Sequence, residues 1–194
     1  RAPGSVQCVG TWHLDGGLWG DRGPAVAACY FSSPPTRWSQ PVWELARLVR
    51  TEEYELPPLS GLIGGATVRW IAKHKVVDLL VSFADAQQGH HGGIYQACSW
   101  SYDGQREAHM DGLMVGGVFV PGRSANALWG SRSPSRLLER KGMVVEPHYD
   151  IGKHLYWKAL SKDGHLKAAA LGLRSCPYPK PTGAVTLKVD KCEY

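Results

Sequence analysis

Residues 59–83, LSGLIGGATVRWIAKHKVVDLLVSF, combine a helical pattern with a strand pattern. Apolar side chains recur at the spacing of one helical face, which predicts a helix over residues 59–74: Leu59, Leu62, Ile63, Ala66 and Trp70. The β-branched run over residues 76–82 predicts a buried strand. A helix that leads directly into a buried strand is typical of an α/β protein.

Strands and helices are also predicted on both sides of this segment. Earlier strands are expected at residues 6–14, 25–31 and 42–49, the last carrying Arg47. Later elements are expected as a helix at 94–100, a strand at 113–120 with a central Gly pair, a helix from Ser133-Pro134 to Gly142, and strands near 155–160 and 184–189. This order predicts one mixed α/β domain over residues 1–194, with a central mixed sheet flanked by helices.

Composition limits the class of protein. The 194 residues are 43% hydrophobic and 20% charged, as in ordinary globular proteins. The longest apolar run, residues 76–83, is interrupted by Asp78 and is far shorter than the roughly 20 residues that span a bilayer, so no membrane association is expected. Five Cys without a CxxC pair favour a reducing cytoplasm, with Cys29 and Cys98 buried.

The net positive charge lies in the C-terminal half. The formal net charge is +5, and residues 1–100 contribute none of it. This distribution favours an anionic partner, nucleic acid first, although a merely soluble basic protein has the same charge. Arginines spaced by four predict a basic helical face, which could equally be an ordinary solvated face: Arg132, Arg136 and Arg140. Further candidates for DNA contact are Arg123, Lys153, Lys158 and Lys180.

Polar groups follow the predicted buried strand: Asp85, Gln87, Gln88, His90, His91 and Tyr95. Ligands of open α/β sheets bind beyond the carboxyl ends of strands. Asp85 is therefore a candidate base and Tyr95 a candidate proton donor. In the alternative interpretation, Asp85 caps a turn and Tyr95 packs in the core. His90 and His91 are weak metal candidates, because adjacent histidines point in different directions.

The element order around the quoted segment is typical of the GNAT acyltransferase fold. A central strand with Arg47 precedes a Gly-rich helix start, and a buried strand follows. In that fold the helix start offers free N–H groups to the pyrophosphate of an acyl-CoA. The residues predicted to bind such a cofactor are Ser60, Gly61, Gly64 and Gly65.

Four stretches of the sequence resemble the Mom proteins of tailed bacteriophages. They are ELARLVR at 44–50, LSGLIGGATVRWI at 59–71, FADAQQGHHGGIYQACSW at 83–100 and GKHLYWKAL at 152–160. Mom proteins are described as GNAT-like and convert adenine in phage DNA to the N6-carbamoylmethyl form, which protects the DNA from restriction. The resemblance implies that the active site falls on Arg47, Ser60, Asp85 and Tyr95.

The resemblance also bears on cofactors. Iron has been suggested for the Mom family. The Gly signature of acyl-CoA enzymes is only partly present in SGLIGGA, so the donor is either acetyl-CoA or another two-carbon donor. Two other functions remain open from the sequence: an acyl-CoA-dependent N-acyltransferase that acts on a small amine, and a non-enzymatic DNA-binding anti-restriction protein.

Overall fold

The computed structural model describes residues 6–13, 25–34, 38–50 and 60–180. These residues form two compact units. The first unit holds the described residues up to Asp85, Gly89–Gly104, and the described residues from His154 onward. The second unit holds Ala86–Gln88 and Gln105–Lys153.

Both units contain strands and helices. The strands are β1 (Val6–His13), β2 (Ala25–Ser32), β3 (Trp43–Arg50), β4 (Leu79–Asp85), β5 (Ser101–Gln105), β6 (Met110–Val115), β7 (Val118–Pro121), β8 (Glu146–Tyr149) and β9 (Lys153–Ala159). The helices are α1 (Thr67–Lys73), α2 (Gly93–Ala97), α3 (Gly122–Trp129), α4 (Pro134–Lys141) and α5 (Lys162–Ala170). A π-helical segment, Gly61–Ala66, leads into α1, and a 3₁₀ turn, Ala86–Gln88, follows β4.

The first unit is built on a six-stranded sheet with the order β1-β2-β3-β4-β9-β5. Neighbours β1, β2 and β3 are antiparallel, and β3 and β4 are parallel. Helices α1 and α2 cover one face with a core that includes Ile71, Leu80 and Tyr156. Helix α5 covers the other face over Leu79 and Leu155. The mixed α/β class and a mixed sheet flanked by helices are therefore confirmed.

Strands β3 and β4 pair only over a short stretch. The pairs are Trp43 with Leu80 and Glu44 with Val81, at the start of each strand. Beyond these pairs the two strands, both fully described, diverge. The carboxyl end of β4 therefore borders an opening in the sheet.

Strand β3 also contains a β-bulge. Tyr30 of β2 lies opposite Arg47, but the next residue, Phe31, lies opposite Leu45. Ala46 is therefore the extra residue on β3. A bulge of this kind bends its strand and re-aims the side chains beside it.

The second unit contains a three-stranded sheet with the order β7-β6-β8. Its core is formed by Leu113, Ala125 and Leu137, from β6, α3 and α4. The backbone N–H of Arg106 donates to the carbonyl of Lys153 at 2.9 Å. The chain thus enters and leaves this unit at neighbouring backbone positions.

The prediction of one strand over residues 113–120 is wrong. Strand β6 ends at Val115 and β7 begins at Val118, and the two form an antiparallel hairpin. Gly116 and Gly117, read as the middle of a strand, have φ of 57° and 82°. Two consecutive residues with positive φ make the two-residue turn that hairpins favour.

Several other boundaries differ by a few residues. Strand β4 begins at Leu79 instead of residue 76, because Val76 is exposed and the Asp78 side chain pairs with Lys167. Helix α2 ends at Ala97 instead of residue 100. Helix α4 begins at Pro134 and ends before Gly142, as predicted. The predicted strand near 184–189 lies outside the described residues.

One expectation from composition is met in the described part of the chain. Cys29 and Cys98 are buried free thiols. No helix there has the length and apolar character needed to cross a bilayer.

We expect Gly92→Ala to lower the free energy of unfolding by about 3 kcal/mol, combining left-handed strain with overpacking. Gly92 precedes α2 with φ of 79°, and a Cβ there would collide with the Tyr156 ring. Gly89→Ala is the matched control, since φ is 71° and no atom lies within 4 Å of the added Cβ. The control should lose only about 1 kcal/mol in chemical denaturation. Equal losses for both variants would contradict the packing argument.

Candidate functional site

A hydrogen-bonded chain lies where β3 and β4 diverge. The Ser82 Oγ lies 2.9 Å from the Leu45 carbonyl oxygen and 2.8 Å from the Tyr95 hydroxyl oxygen. Because a carbonyl can only accept, the single Ser82 proton goes to Leu45, and the Tyr95 O–H donates to Ser82. Side chains thus connect both strands and α2 at the point where backbone pairing between β3 and β4 ends.

Tyr95 is held in the core of the first unit. Its side chain is 8% exposed, and its ring centroid lies 5.5 Å from that of Trp100 and 5.0 Å from that of Tyr156. Burial raises the pKa of Tyr95 above its usual value, and the Glu44 charge acts in the same direction. The hydroxyl therefore stays protonated at neutral pH and can act as a proton donor.

The C-terminal end of α2 is fixed by two contacts. The Lys158 Nζ donates to the carbonyl oxygens of Cys98 at 2.9 Å and of Ser99 at 3.2 Å. The Cys98 Sγ donates to the Ser60 carbonyl oxygen at 3.3 Å. Lys158, expected on the DNA surface, is therefore a cap for the helix that carries Tyr95. The only sign of this role in the sequence is the position of Lys158 within the segment GKHLYWKAL.

The two faces of β4 carry different candidate residues. Leu80 and Ala84 pack in the core under α1 and α2, on the side where Ser82 meets Tyr95. Val81 packs in the core under α5, and strand alternation places Asp85 on that same face. Asp85, predicted just beyond the strand, is its last residue.

Arg47 falls on the same face of the sheet as Asp85. Leu45 and Leu48 both pack toward α1 and α2, because the bulge lies between them. Arg47 is paired opposite Tyr30, faces the other way and is exposed. The structure thus places the Tyr95 side chain on one face of the sheet and those of Arg47 and Asp85 on the other, while Ser60 contacts the end of α2 through its backbone carbonyl.

The Gly-rich helix start is accessible. Gly61 is exposed, and no atom lies within 4 Å of a Cβ added there. A Cβ added at Gly65 would lie 3.5 Å from the Arg69 guanidinium. Gly64 lies in the same π-helical segment. Sequence reasoning missed Arg69, although it follows Gly65 at the i, i+4 spacing that places a helical side chain over its neighbour. The Arg69 guanidinium at this position favours binding of a donor that carries an anionic group.

The histidines are engaged in turns and polar pairs. The backbone N–H of His90 donates to the Asp85 carbonyl at 3.0 Å. The His154 Nδ1 lies 2.8 Å from the Tyr102 hydroxyl, and burial together with the nearby His91 lowers the pKa of His154. No group of three or more His, Cys, Asp or Glu side chains in the described part of the chain is arranged to hold a metal ion. The described residues therefore do not provide a three-ligand site for iron.

Five of the candidate DNA-binding residues belong to the second unit: Arg123, Arg132, Arg136, Arg140 and Lys153. Lys158 and Lys180 belong to the first unit. The four arginines are exposed. Arg132 precedes α4, so only Arg136 and Arg140 share the predicted helical face. Residues 122–141 contain five Arg or Lys and one Glu, which makes the helical layer of this unit basic.

Comparison with known families identifies the chain. Residues 31–180 match the Mom protein family, and this range covers more than half of the 194 residues. The chain belongs to the Mom family. The part of this Mom-family chain that matches contains Arg47, Ser60, Asp85 and Tyr95, together with the whole second unit. No curated protein matches the chain.

We expect Ser82→Ala to destabilise the protein more than Tyr95→Phe does. Ser82→Ala removes a donor from the Leu45 carbonyl and the acceptor of the buried Tyr95 hydroxyl, which should cost roughly 2 kcal/mol. Tyr95→Phe removes only a donor to Ser82 and should cost about 1 kcal/mol. Urea denaturation of both variants measures the difference, and the reverse order would show that Ser82 does not connect the strands to α2.

Proposed function

We propose that this protein is a phage-type DNA-modification enzyme. It transfers a two-carbon amide unit to the N6 of adenine in duplex DNA, giving N6-carbamoylmethyladenine and protecting the DNA from restriction. Membership of the Mom family over residues 31–180 carries this proposal. The contact between Ser82 and Tyr95, next to the point where β3 and β4 stop pairing, supports it.

We further propose that the first unit has a GNAT-like fold. Strands β1, β2 and β3 are antiparallel, β3 and β4 are parallel and pair only at their starts, and β9 lies between β4 and β5 in the sheet. The bulge at Ala46 and the Gly-rich start of the helix between β3 and β4 add to the likeness. This arrangement supports a donor site at the opening between the two strands.

The side chains around the divergence can be given chemical roles. In the transfer, the N6–H bond breaks as the new N6–C bond forms, and the leaving group departs from the donor. Asp85 accepts the N6 proton, and Tyr95 supplies a proton to the leaving group. Arg47 binds an anionic group of the donor or a DNA phosphate.

The helix start is the proposed donor site. Ser60 together with Gly61, Gly64 and Gly65 would hold the phosphate groups of acetyl-CoA or of another two-carbon donor, with Arg69 adding positive charge. When bound, the donor supplies the two-carbon unit. Simple acetyl transfer would join N6 to a carbonyl carbon, whereas a carbamoylmethyl group is joined through a methylene and carries an amide nitrogen. The two products therefore differ in mass.

Mass spectrometry of nucleosides from cells that express the protein tests the proposal. A modified adenine with the mass of the carbamoylmethyl form is expected. Unmodified DNA together with an acylated small amine would identify a small-amine N-acyltransferase instead. Unmodified DNA with no acylated product would leave a non-enzymatic DNA-binding protein.

Asp85→Asn should abolish modification while preserving the fold. The amide keeps the size of the carboxylate but cannot accept the N6 proton, so turnover should fall about 10²- to 10⁴-fold. Asp163→Asn, a change of the same kind at an exposed position of α5, is the control and should retain full turnover. Single-turnover assays with purified protein measure both, and an active Asp85→Asn enzyme would remove Asp85 from the mechanism.

The arginines of the second unit should contribute affinity without sequence preference. We expect the triple change of Arg132, Arg136 and Arg140 to Ala to weaken binding to two unrelated duplexes equally. Each lost phosphate contact should lower the slope of log affinity against log salt by about one. Lys162→Ala, at an exposed residue of α5, is the control and should change neither quantity. An unaltered slope in the triple variant would move the DNA surface elsewhere.

A further inference from the structure

Helix α1 of the first unit has a basic outer face. Val68 and Ile71 pack in the core, whereas Arg69 and Lys73 are exposed. These two cations are four residues apart, so they lie on the same side of the helix. Neither forms an ion pair with the residues that the structure describes. Residues 60–77 contain three Lys or Arg and no Asp or Glu, so no acid within this stretch neutralises its positive charge.

An aromatic pair lies beside these cations. The Trp70 ring centroid lies 4.5 Å from that of His74, the C-cap residue of α1, and the ring planes are tilted by 35°. Trp70 is 38% exposed, although tryptophan is on average highly buried. Lys73 follows Trp70 by three residues, a spacing that makes their side chains neighbours on a helix. The outer face of α1 thus combines a large aromatic ring with positive charge.

We propose that this face of α1 binds a nucleotide, with the base stacked on Trp70 and the phosphate held by Arg69 and Lys73. Proteins that bind single strands without sequence preference use the same two groups, because every base has a π-face and every phosphate is negative. An exposed Trp alone is ordinary, and so is a basic helix face. Their occurrence side by side on α1 fits both parts of a nucleotide. The inference goes beyond the proposed function, because it concerns binding and needs no reaction.

The nucleotide has two possible sources. One is a small molecule that carries a nucleotide, and the other is an unpaired nucleotide of the double-stranded DNA substrate. A Cβ added at Gly65, in the proposed donor site, would lie 3.5 Å from the Arg69 guanidinium. This proximity favours the small molecule, because Arg69 then belongs to both the proposed donor site and the nucleotide subsite. We therefore expect a free nucleotide to bind.

An NMR titration of adenosine diphosphate with the full chain tests the stacking. The base protons should shift upfield on binding, because protons stacked over the Trp70 ring are shielded by its ring current. Trp70→Ala should abolish this shift and weaken binding about 5- to 150-fold, the range for loss of one base–aromatic stack. Trp70→Phe keeps an aromatic face and should retain most of the affinity. Leu166→Ala is the control, because Leu166 is a 69% exposed apolar residue of α5, and it should bind as wild type.

Arg69→Gln tests the phosphate contact and leaves the aromatic pair in place. It should weaken binding of adenosine diphosphate about tenfold and leave binding of adenosine, which has no phosphate, unchanged. Lys162→Ala, at an exposed residue of α5, should change neither affinity. An equal loss for both ligands in Arg69→Gln would overturn the phosphate contact.

A single-stranded oligonucleotide of thymidines distinguishes the two sources. It is titrated into the triple Arg132, Arg136 and Arg140 to Ala variant with and without Trp70→Ala, so that the arginines of the second unit do not contribute. Trp70-dependent binding of adenosine diphosphate assigns the small molecule, and Trp70-dependent binding of the oligonucleotide alone assigns the DNA. Unchanged affinity of Trp70→Ala for both ligands overturns the subsite. If nucleotide binding depends on Trp70 but no adenine is modified, the proposed function fails and the subsite stands.

Discussion

The hydrogen bond from Ser82 to the Leu45 carbonyl holds together the part of the sheet on which the candidate site depends. Where two parallel strands stop pairing, backbone hydrogen bonds no longer hold them together. Another contact must then fix the distance between β3 and β4. Here one hydroxyl serves both strands and the helix beyond them, since it also accepts the Tyr95 proton. The caps from Lys158 and Cys98 then fix the helix that carries Tyr95.

Charge and chemistry are separated along the chain. The candidate catalytic residues belong to the first unit, where apolar packing and buried hydroxyls set their properties. The candidate phosphate-binding arginines belong to the second unit, whose helical layer is basic. Electrostatic attraction of DNA acts over a distance and works with exposed charges, although salt screens it. Proton transfer requires buried groups in a fixed geometry. Placing the two tasks in different units lets each have the environment that it needs.

The sequence predicted those features that depend on local patterns. A helix and a strand over residues 59–83 were predicted and found, but the predicted apolar face of the helix was wrong, because Val68 and Ile71 are buried there and Trp70 is exposed. The helix from Pro134 to Lys141 was recovered because Pro and Gly mark its ends. The Gly116-Gly117 turn was misread, since a short apolar run looks alike whether the chain continues or reverses.

The sequence did not predict how the candidate site residues are arranged. Asp85 and Tyr95 were expected to converge at one end of a strand, yet strand alternation and the bulge at Ala46 set Arg47 and Asp85 on one face of the sheet and Tyr95 on the other. A bulge leaves no mark in a single sequence, because any small residue can occupy it. The roles of Lys158 and Arg69 were not predicted for a related reason. They depend on which backbone segments lie beside these side chains in the fold.

The hydrogen bond between Arg106 and Lys153 closes the segment Gln105–Lys153 at its base. Because this segment begins and ends at adjacent backbone positions, residues within it can be lengthened or shortened without displacing β5 and β9. A closed segment of this kind costs little extra loop entropy as it grows. Insertions between Gln105 and Lys153 should therefore be tolerated better than insertions in the sheet that carries the candidate chemistry.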